Sequence, residues 1–149
     1  MEKILTKEIS GLDQRFHKYL NAVTHLEDYF NLTQIHVLVY LVRHIEEDVY
    51  QKDLEIEMGL KKATITGLID VLNEKGFVYR VQAEDDRRKN YIKLTQKAMN
   101  YKDEIYARLQ ELNGIVKKEI SSEELGTFFR TIEKINRNMD DAIQLNEKG

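Results

Sequence analysis

The 149-residue sequence contains no cysteine and no proline, and only seven of its residues are glycine. Without cysteine, the chain cannot form a disulfide scaffold, a thiolate zinc site, a catalytic thiol or a thiol redox sensor. Proline disrupts helix interiors because it lacks a backbone N–H, so its absence permits a chain that is helical nearly throughout. The sequence also lacks a continuous apolar run of about 18 residues, which excludes a membrane-spanning helix.

The amino-terminal residues, MEKILTKEIS, contain no apolar h-region and no cleavage site. We therefore expect no signal peptide and a cytoplasmic protein. The length corresponds to about one ordinary domain, and a chain of this size hides roughly 70% of its unfolded surface on folding. With 42% apolar and 33% charged residues, the composition is typical of a globular domain of somewhat high charge.

The formal net charge is −3, but the balance of charge changes sign along the chain. Residues 1–50 sum to −3, residues 51–97 to +2 and residues 98–149 to −2. Five of the ten cations of the middle part lie between Arg87 and Lys97. Because phosphate binding depends on the local field, an acidic chain with one basic region remains a candidate for binding nucleic acid.

Two helices are predicted in the first third of the chain. Apolar residues recur every three or four positions from about Thr6 to Tyr29, which is the period of an amphipathic helix. Such a helix is roughly 35 Å long, so we expect it to pack on another subunit or on a long partner helix. From Ile35 to Ile45 the apolar residues are nearly continuous, which predicts a central helix buried on several sides, with Thr33 as its N-cap.

The next two helices are predicted to be close together. Residues 51–60 form a short helix that stops at Gly59. After one tight turn, a second helix runs from Lys61 to Lys75 and is closed by Gly76, which adopts positive φ without steric cost. A short helix, a turn and a second helix are the layout of a helix-turn-helix.

Two runs rich in β-branched and aromatic residues give the only convincing β signal: FVYRV at 77–81 and YIKL at 91–94. The connection between them is strongly charged, so the two runs are predicted to form a hairpin. A hairpin directly after a helix-turn-helix is a wing. The predicted fold class is therefore mainly α, a winged helix-turn-helix with a small β-hairpin.

The rest of the chain is predicted to form a helical hairpin. Thr95 caps its first helix, and a capping box of Ser121 and Glu124 opens the second. Both helices carry an apolar stripe that needs a cover, which predicts a dimerisation layer.

These elements together predict one domain, residues 1–149, with two functional parts. Residues 1–30 and 98–149 supply the dimerisation helices, and residues 31–97 form the winged helix-turn-helix.

Residues 54–95 resemble the winged helix-turn-helix of the MarR family of bacterial transcription regulators. The resemblance rests on the motif D-x-R at 86–88 with L-T at 94–95, preceded by L-x-x-x-G at 72–76. It implies a homodimer whose terminal helices interlock and whose two winged modules face adjacent major grooves of a pseudo-palindromic operator in double-stranded DNA. It also implies a repressor that a small aromatic or phenolic effector releases from DNA.

The N-terminal turn of a recognition helix, called its head below, enters the major groove, where each base pair has a distinct pattern of donors and acceptors. The predicted base-reading residues at this head are Lys61, Lys62, Thr64 and Thr66. The predicted phosphate contacts at the start of the shorter helix are Gln51 and Lys52. The predicted wing-tip contacts with the minor groove are Arg87, Arg88 and Lys89. Asp86 is expected to orient Arg88 through a carboxylate–guanidinium pair. Gly67 departs from the family, which commonly has a larger polar or basic residue there, so fewer base contacts are expected.

An effector pocket is expected between the dimerisation layer and the winged lobe, although aromatic residues at helical spacing also serve as core. Its candidate residues are Phe16, Tyr19, Tyr29, His36 and Tyr40. The four histidines are separated by 8, 11 and 8 residues, which does not give a metal-binding pair on one helical face, so no metal and no cofactor is predicted.

Two other functional classes are compatible with the sequence. A winged helix can serve protein–protein contact, as an adaptor or anti-repressor, and the overall acidity of the chain is consistent with that role. An enzyme is disfavoured, because no glycine-rich phosphate loop, nucleophile elbow or metal-ligand cluster is present.

Overall fold

The computed structural model describes residues 2–23 and 30–149. Over those ranges the chain forms six helices and one two-stranded antiparallel sheet. In chain order the elements are α1 (Leu5–Val23), α2 (Leu32–Arg43), α3 (Gln51–Met58), α4 (Lys62–Glu74), β1 (Val78–Gln82), β2 (Asn90–Leu94), α5 (Gln96–Lys117) and α6 (Ser122–Lys148). The predicted class, mainly α with a hairpin wing, is confirmed.

The chain forms two compact units, Met1–Leu109 and Gln110–Gly149. No helix within the described residues combines the length and the apolar character needed to cross a lipid bilayer.

Helix α2 contributes most to the core of the first unit. Its buried apolar side chains are those of Ile35, Val37, Leu38, Val39 and Leu41. These positions lie on several sides of the helix, as the continuous apolar run predicts. The predicted end was too late, because the helix ends at Arg43 and Ile45 is 44% exposed beyond it.

The predicted N-cap of α2 was wrong. The cap is Asn31, whose side-chain oxygen accepts a hydrogen bond from the Gln34 backbone N–H at 2.9 Å. The Gln34 side chain in turn accepts from the Asn31 backbone N–H at 2.9 Å. The residue three positions after Asn31 is Gln34, which completes a reciprocal capping box, whereas the residue three positions after Thr33 is His36. Thr33 therefore lies inside the first turn.

Helix α1 begins one residue before the predicted start and is described to Val23. The predicted end of this helix, residues 24–29, lies outside the described residues. Only Leu20 of α1 is buried, and Ile9 and Leu12 of its apolar stripe are 45% and 46% exposed.

Helices α3 and α4 form the predicted helix-turn-helix. Helix α3 ends at Met58 and is capped by Gly59, which has a φ of 63°, and α4 begins three residues after this glycine. The buried face of α4 consists of Ile65, Ile69 and Leu72, each 0% exposed. Gly76 follows the helix with a φ of 81°, the left-handed conformation predicted for its closing residue.

The hairpin pairs Val78 with Leu94 at its base and Gln82 with Asn90 near its tip. The sequence did not predict a further pairing, in which the Ile92 N–H donates to the Val49 carbonyl at 2.7 Å and Tyr50 forms a bridge with Tyr91. The segment before α3 therefore lies along the outer edge of β2 and joins the wing to the helix-turn-helix.

Helix α5 starts at the predicted cap, where the Thr95 hydroxyl accepts from the Ala98 backbone N–H at 3.2 Å and donates to the Gly76 carbonyl at 2.6 Å. In the second unit, Ser121 and Glu124 form the predicted capping box of α6. No residue of α6 is buried, and its stripe exposes Phe128, Phe129 and Met139 at 50%, 57% and 56%.

We predict that Gly67→Ala raises the stability of the protein. Gly67 lies inside α4, and a Cβ added there meets no atom within 4 Å. Because alanine loses less backbone entropy on entering a helix, unfolding in urea should cost about 0.5–1 kcal/mol more. Gly76→Ala is the control, and its φ of 81° should make that variant less stable. A fall in stability for Gly67→Ala would contradict the open environment of this position.

Candidate nucleic-acid interface

A cleft of about 690 Å³ opens between α3, the head of α4 and the hairpin. Its lining residues are Tyr50, Gln51, Lys52, Asp53, Glu55, Lys62, Thr66, Asp70, Arg80, Arg88, Lys89 and Asn90. Five of these are cationic and three are acidic, so the cleft carries a net positive charge in a chain whose net charge is −3. A concave surface with net positive charge strengthens the positive electrostatic potential at its opening.

Most of the DNA-contact residues predicted from the sequence meet in this cleft. Six of the nine line it: Gln51, Lys52, Lys62, Thr66, Arg88 and Lys89. The other three, Lys61, Thr64 and Arg87, are exposed to solvent but are not part of the cleft lining.

The head of α4 is open to an anion. Lys61 is the N-cap residue and makes no side-chain capping bond, and the first turn contains no acidic side chain. The first backbone N–H groups of a helix have no partner inside the helix and carry a partial positive charge. Lys61 and Lys62 add two full charges at this end, so the local arrangement suits a phosphate group.

The tip of the wing is organised by Asp86. The Asp86 carboxylate accepts hydrogen bonds from the Arg88 backbone N–H at 2.9 Å and from Arg88 Nε at 3.1 Å. These bonds lower the pKa of Asp86. The Asp86 carbonyl also accepts from the Lys89 N–H at 3.0 Å, closing the turn. The Arg88 side chain is 90% exposed, so its guanidinium is oriented by Asp86 and still faces solvent.

Arg80 is a residue of the cleft that sequence reasoning missed. Its Nη1 lies 2.8 Å from an Asp70 carboxylate oxygen, and its Nη2 donates to the Thr66 carbonyl at 3.2 Å. Gln51 Nε2 donates to the Thr66 hydroxyl at 2.8 Å. The signal available in the sequence was strand alternation, which puts Arg80 on the same face of β1 as the buried Val78.

Tyr50, which lines the cleft, pairs with Tyr91 of β2. The Tyr50 and Tyr91 hydroxyls share a hydrogen bond of 3.1 Å, and their ring centroids are 4.6 Å apart. The hydrogen bond with Tyr50 and partial desolvation raise the pKa of Tyr91 to about 12. Lys89 Nζ lies 5.7 Å from the centre of the Tyr50 ring, within cation–π range.

The effector candidates do not share one pocket among the described residues. His36 and Tyr40 line a separate cleft of about 380 Å³, together with Thr33, Val39, Arg43, Glu57, Met58 and Leu60. Desolvation and the nearby Arg43 charge lower the pKa of His36. Phe16 and Tyr19 are half-buried on α1 and do not line this cleft, and Tyr29 lies outside the described residues.

Within residues 2–23 and 30–149, no group of three or more histidine, aspartate or glutamate side chains is arranged to hold a metal ion. His25 lies outside these ranges.

The fold and the cleft define a winged helix-turn-helix protein: a helical pair is followed by a hairpin, and cations of both elements meet in one concave surface. Residues 30–89 match the family model described as the MarR family. The match agrees with the resemblance predicted from residues 54–95, and the chain has the fold of MarR-family transcriptional regulators.

Several solved structures are similar to this chain. The transcription regulator MarR from Oenococcus oeni PSU-1 is 24% identical, with a TM-score of 0.67 over 89% of this chain and 96% of that chain. MepR of S. aureus, solved in complex with DNA, is 21% identical, with a TM-score of 0.75 over 91% and 95%. PcaV from Streptomyces coelicolor, solved with its natural ligand, is 20% identical, with a TM-score of 0.78 over 92% and 98%. At these identities the likeness establishes the fold.

We predict that Tyr50→Phe lowers the pKa of Tyr91 from about 12 toward the ordinary tyrosine value of 10.0. The hydrogen bond with Tyr50 is the largest cause of the raised pKa of Tyr91, so removing it eases ionisation. The pKa is measured from the Tyr91 ring carbon signal in an NMR titration. Because the folded-state pKa is raised, the stability that this pair contributes is fully present below about pH 10 and is lost as the pH rises through 12. An unchanged Tyr91 titration in the variant would contradict the hydroxyl pair, and Tyr79→Phe serves as the control.

Proposed function

We propose that this protein is a sequence-specific transcriptional regulator that binds double-stranded DNA as a homodimer. The observation that carries the proposal is the net positive cleft in which the head of α4 meets the wing. An adaptor would need an apolar surface there, and the lining is mainly charged and polar. A repressor acting at a pseudo-palindromic operator is the form of regulation we favour, since it follows from the family resemblance.

In the proposed complex, the head of α4 enters the major groove. Lys62 can donate to guanine acceptors, and Thr64 and Thr66 offer a hydroxyl for a base edge and a methyl for thymine. Lys61 flanks this head. Gln51 and Lys52 at the start of α3 lie along the same cleft and would approach backbone phosphates.

The wing would approach the adjacent minor groove. Arg88 pairs with Asp86 at the tip, and its side chain is the more exposed of the two. Its guanidinium can therefore reach the narrow groove without unfolding the turn. Arg87 and Lys89 lie on either side of it and add to the positive field. Asp86 supports the tip by holding Arg88 in one orientation.

A second copy of the chain is the proposed cover for the exposed apolar stripes. In the first unit, α1 exposes Ile9 and Leu12, and in the second unit α6 exposes Phe128, Phe129 and Met139. Exposed apolar stripes along a helix are typical of surfaces that pack against another helix. This supports residues 1–30 and 98–149 as dimerisation helices around the lobe at 31–97.

An effector is proposed to act through the cleft that contains His36 and Tyr40. The phenol of Tyr40 and the imidazole of His36 can hydrogen-bond a small aromatic or phenolic molecule, and Arg43 offers a positive charge beside them. This cleft lies between α2 and α3, so an occupant could alter the position of the helix-turn-helix.

Duplex fragments from upstream of the gene, titrated at several salt concentrations, test the DNA-binding proposal. Each neutralised phosphate contributes about −0.9 to the slope of log affinity against log salt. Arg88→Ala should weaken binding to all sequences and reduce the slope by about 1. Lys62→Ala and Thr64→Ala should instead change which base is preferred at one position of each half-site.

Lys148→Ala, which removes a charge from the last turn of α6, is the control for charge alone. Absence of binding to every upstream fragment would contradict the proposed function. Equal, sequence-independent losses for Arg88→Ala and the two α4 variants would contradict the separate roles given to the wing and the helix.

We predict that Met139→Asp shifts the protein from dimer to monomer in sedimentation velocity at micromolar concentration. Met139 is 56% exposed within the apolar stripe of α6, where a buried carboxylate in a dimer would lack a partner. Asn138→Asp is the matched control, because the same charge enters about 100° further around the helix and should leave the dimer intact. A monomeric wild-type protein would contradict the proposed assembly.

A further inference from the structure

Arg80 occupies an unusual position for a charged residue. It lies in the middle of β1, opposite the buried Ile92 of β2, and points toward α4. Its side chain is 25% exposed, whereas the wing-tip Arg88 is 90% exposed. Arg80 therefore belongs to the contact between strand and helix more than to the open surface of the cleft.

The guanidinium of Arg80 spans one turn of α4. Thr66 and Asp70 are four residues apart, so they lie one above the other on the same helical face. Nη1 meets the Asp70 carboxylate at 2.8 Å, and Nη2 donates to the Thr66 carbonyl at 3.2 Å. The rigid fork of the guanidinium thus fixes a direction as well as a distance between β1 and α4.

Thr66 also joins α4 to α3. Its hydroxyl accepts a hydrogen bond from Gln51 Nε2 at 2.8 Å, while its carbonyl accepts from Arg80. The same residue is therefore held from both sides, by the first helix of the helix-turn-helix and by the wing. A shift of the hairpin relative to α4 would have to break the contacts of Arg80 first.

We propose that Arg80, held by Asp70 and Thr66, is a positioning residue that fixes the wing relative to the recognition helix and so sets where the wing cations meet DNA. The inference rests on the proposed DNA-binding function. Arg80 acts through Arg88 and Lys89, which lie at the far end of the same hairpin, and its own nitrogen atoms are engaged with α4.

The direction in which Asp70→Asn changes DNA affinity distinguishes the positioning role of Arg80 from a direct effect of the Asp70 charge on DNA. Asp70 is an acid in the cleft, so its neutralisation alone should raise affinity for DNA. Loss of the Arg80 pair should instead lower affinity, by about five- to tenfold for a coupled network. Glu55→Gln is the matched control, since it removes the same charge from the same cleft and Glu55 forms no ion pair with another described residue. We expect Glu55→Gln to raise affinity modestly.

Arg80→Ala should lower DNA affinity at least as much as Asp70→Asn, since it also removes a cation from the cleft, and the two changes together should lower it no further than Arg80→Ala alone. The exchanged pair, Asp70→Arg with Arg80→Asp, should recover part of the loss, because the net charge and the ion pair are both kept. The midpoint of thermal unfolding should change little in each variant, because the Asp70 side chain is 56% exposed and such pairs contribute little to stability. A rise in affinity for Asp70→Asn equal to that for Glu55→Gln would overturn the proposal.

A measurement without DNA tests the same contact independently. The chain has no cysteine, so Asn73→Cys on α4 and Glu84→Cys on the wing give two unique sites per chain for spin labels, and mixing with excess unlabelled protein isolates the distance within one chain. Arg80→Ala should broaden the distribution of distances between the labels, and the exchanged pair should narrow it again. If the wild-type protein binds no DNA but Arg80→Ala broadens this distribution, the proposed function fails and the fixing of the wing stands. An unchanged distribution would show that Arg80 does not hold the wing.

Discussion

The buried face of α4 is the constraint on which the rest of the winged lobe depends. Ile65, Ile69 and Leu72 are each fully buried, so the rotation of the helix about its own axis is fixed by packing. A helix turned to expose any of these side chains would lose roughly 1.5–3 kcal/mol of hydrophobic stabilisation for each. Lys62 and Thr66 therefore face the cleft because the buried face of α4 fixes the direction of the remaining side chains.

The cations at the start of α4 and at the tip of the wing do not serve the stability of the isolated fold. Lys61 and Lys62 lie at the positive end of the α4 dipole, where cations are unfavourable by several tenths of a kcal/mol. Arg88 is paired, yet its side chain is 90% exposed, so the pair contributes little to folding. The Asp86 carboxylate organises the turn through backbone donors, and Arg88 adds a charge that the turn itself does not require. Such placement is understandable if an anion outside the chain completes the arrangement.

Local signals in the sequence were sufficient where a structure is decided by neighbouring residues. The capping box of Ser121, the closing glycine Gly76 and the hairpin all depend on residues close in sequence, and each was predicted. The contact of Arg80 with Asp70 and Thr66, and the pairing of Val49 with Ile92, were not predicted. These contacts join separate elements, and periodicity identifies a buried face without identifying its partner. The choice of Thr33 over Asn31 was a local error, because both are capping residues and only the Gln34 contact distinguishes them.

The overall acidity of the chain and its basic cleft are parts of one charge distribution. The first 50 residues sum to −3 and the last 52 to −2, whereas residues 51–97 sum to +2. In the proposed DNA complex, the acidic parts would repel phosphate, and the cleft would attract it. Within about a Debye length, roughly 8 Å at physiological salt, the local cations outweigh the net charge. The acidic total is therefore compatible with the proposed DNA binding, because the other surfaces would contribute little unspecific phosphate contact and the positive charge of residues 51–97 would be left to attract DNA.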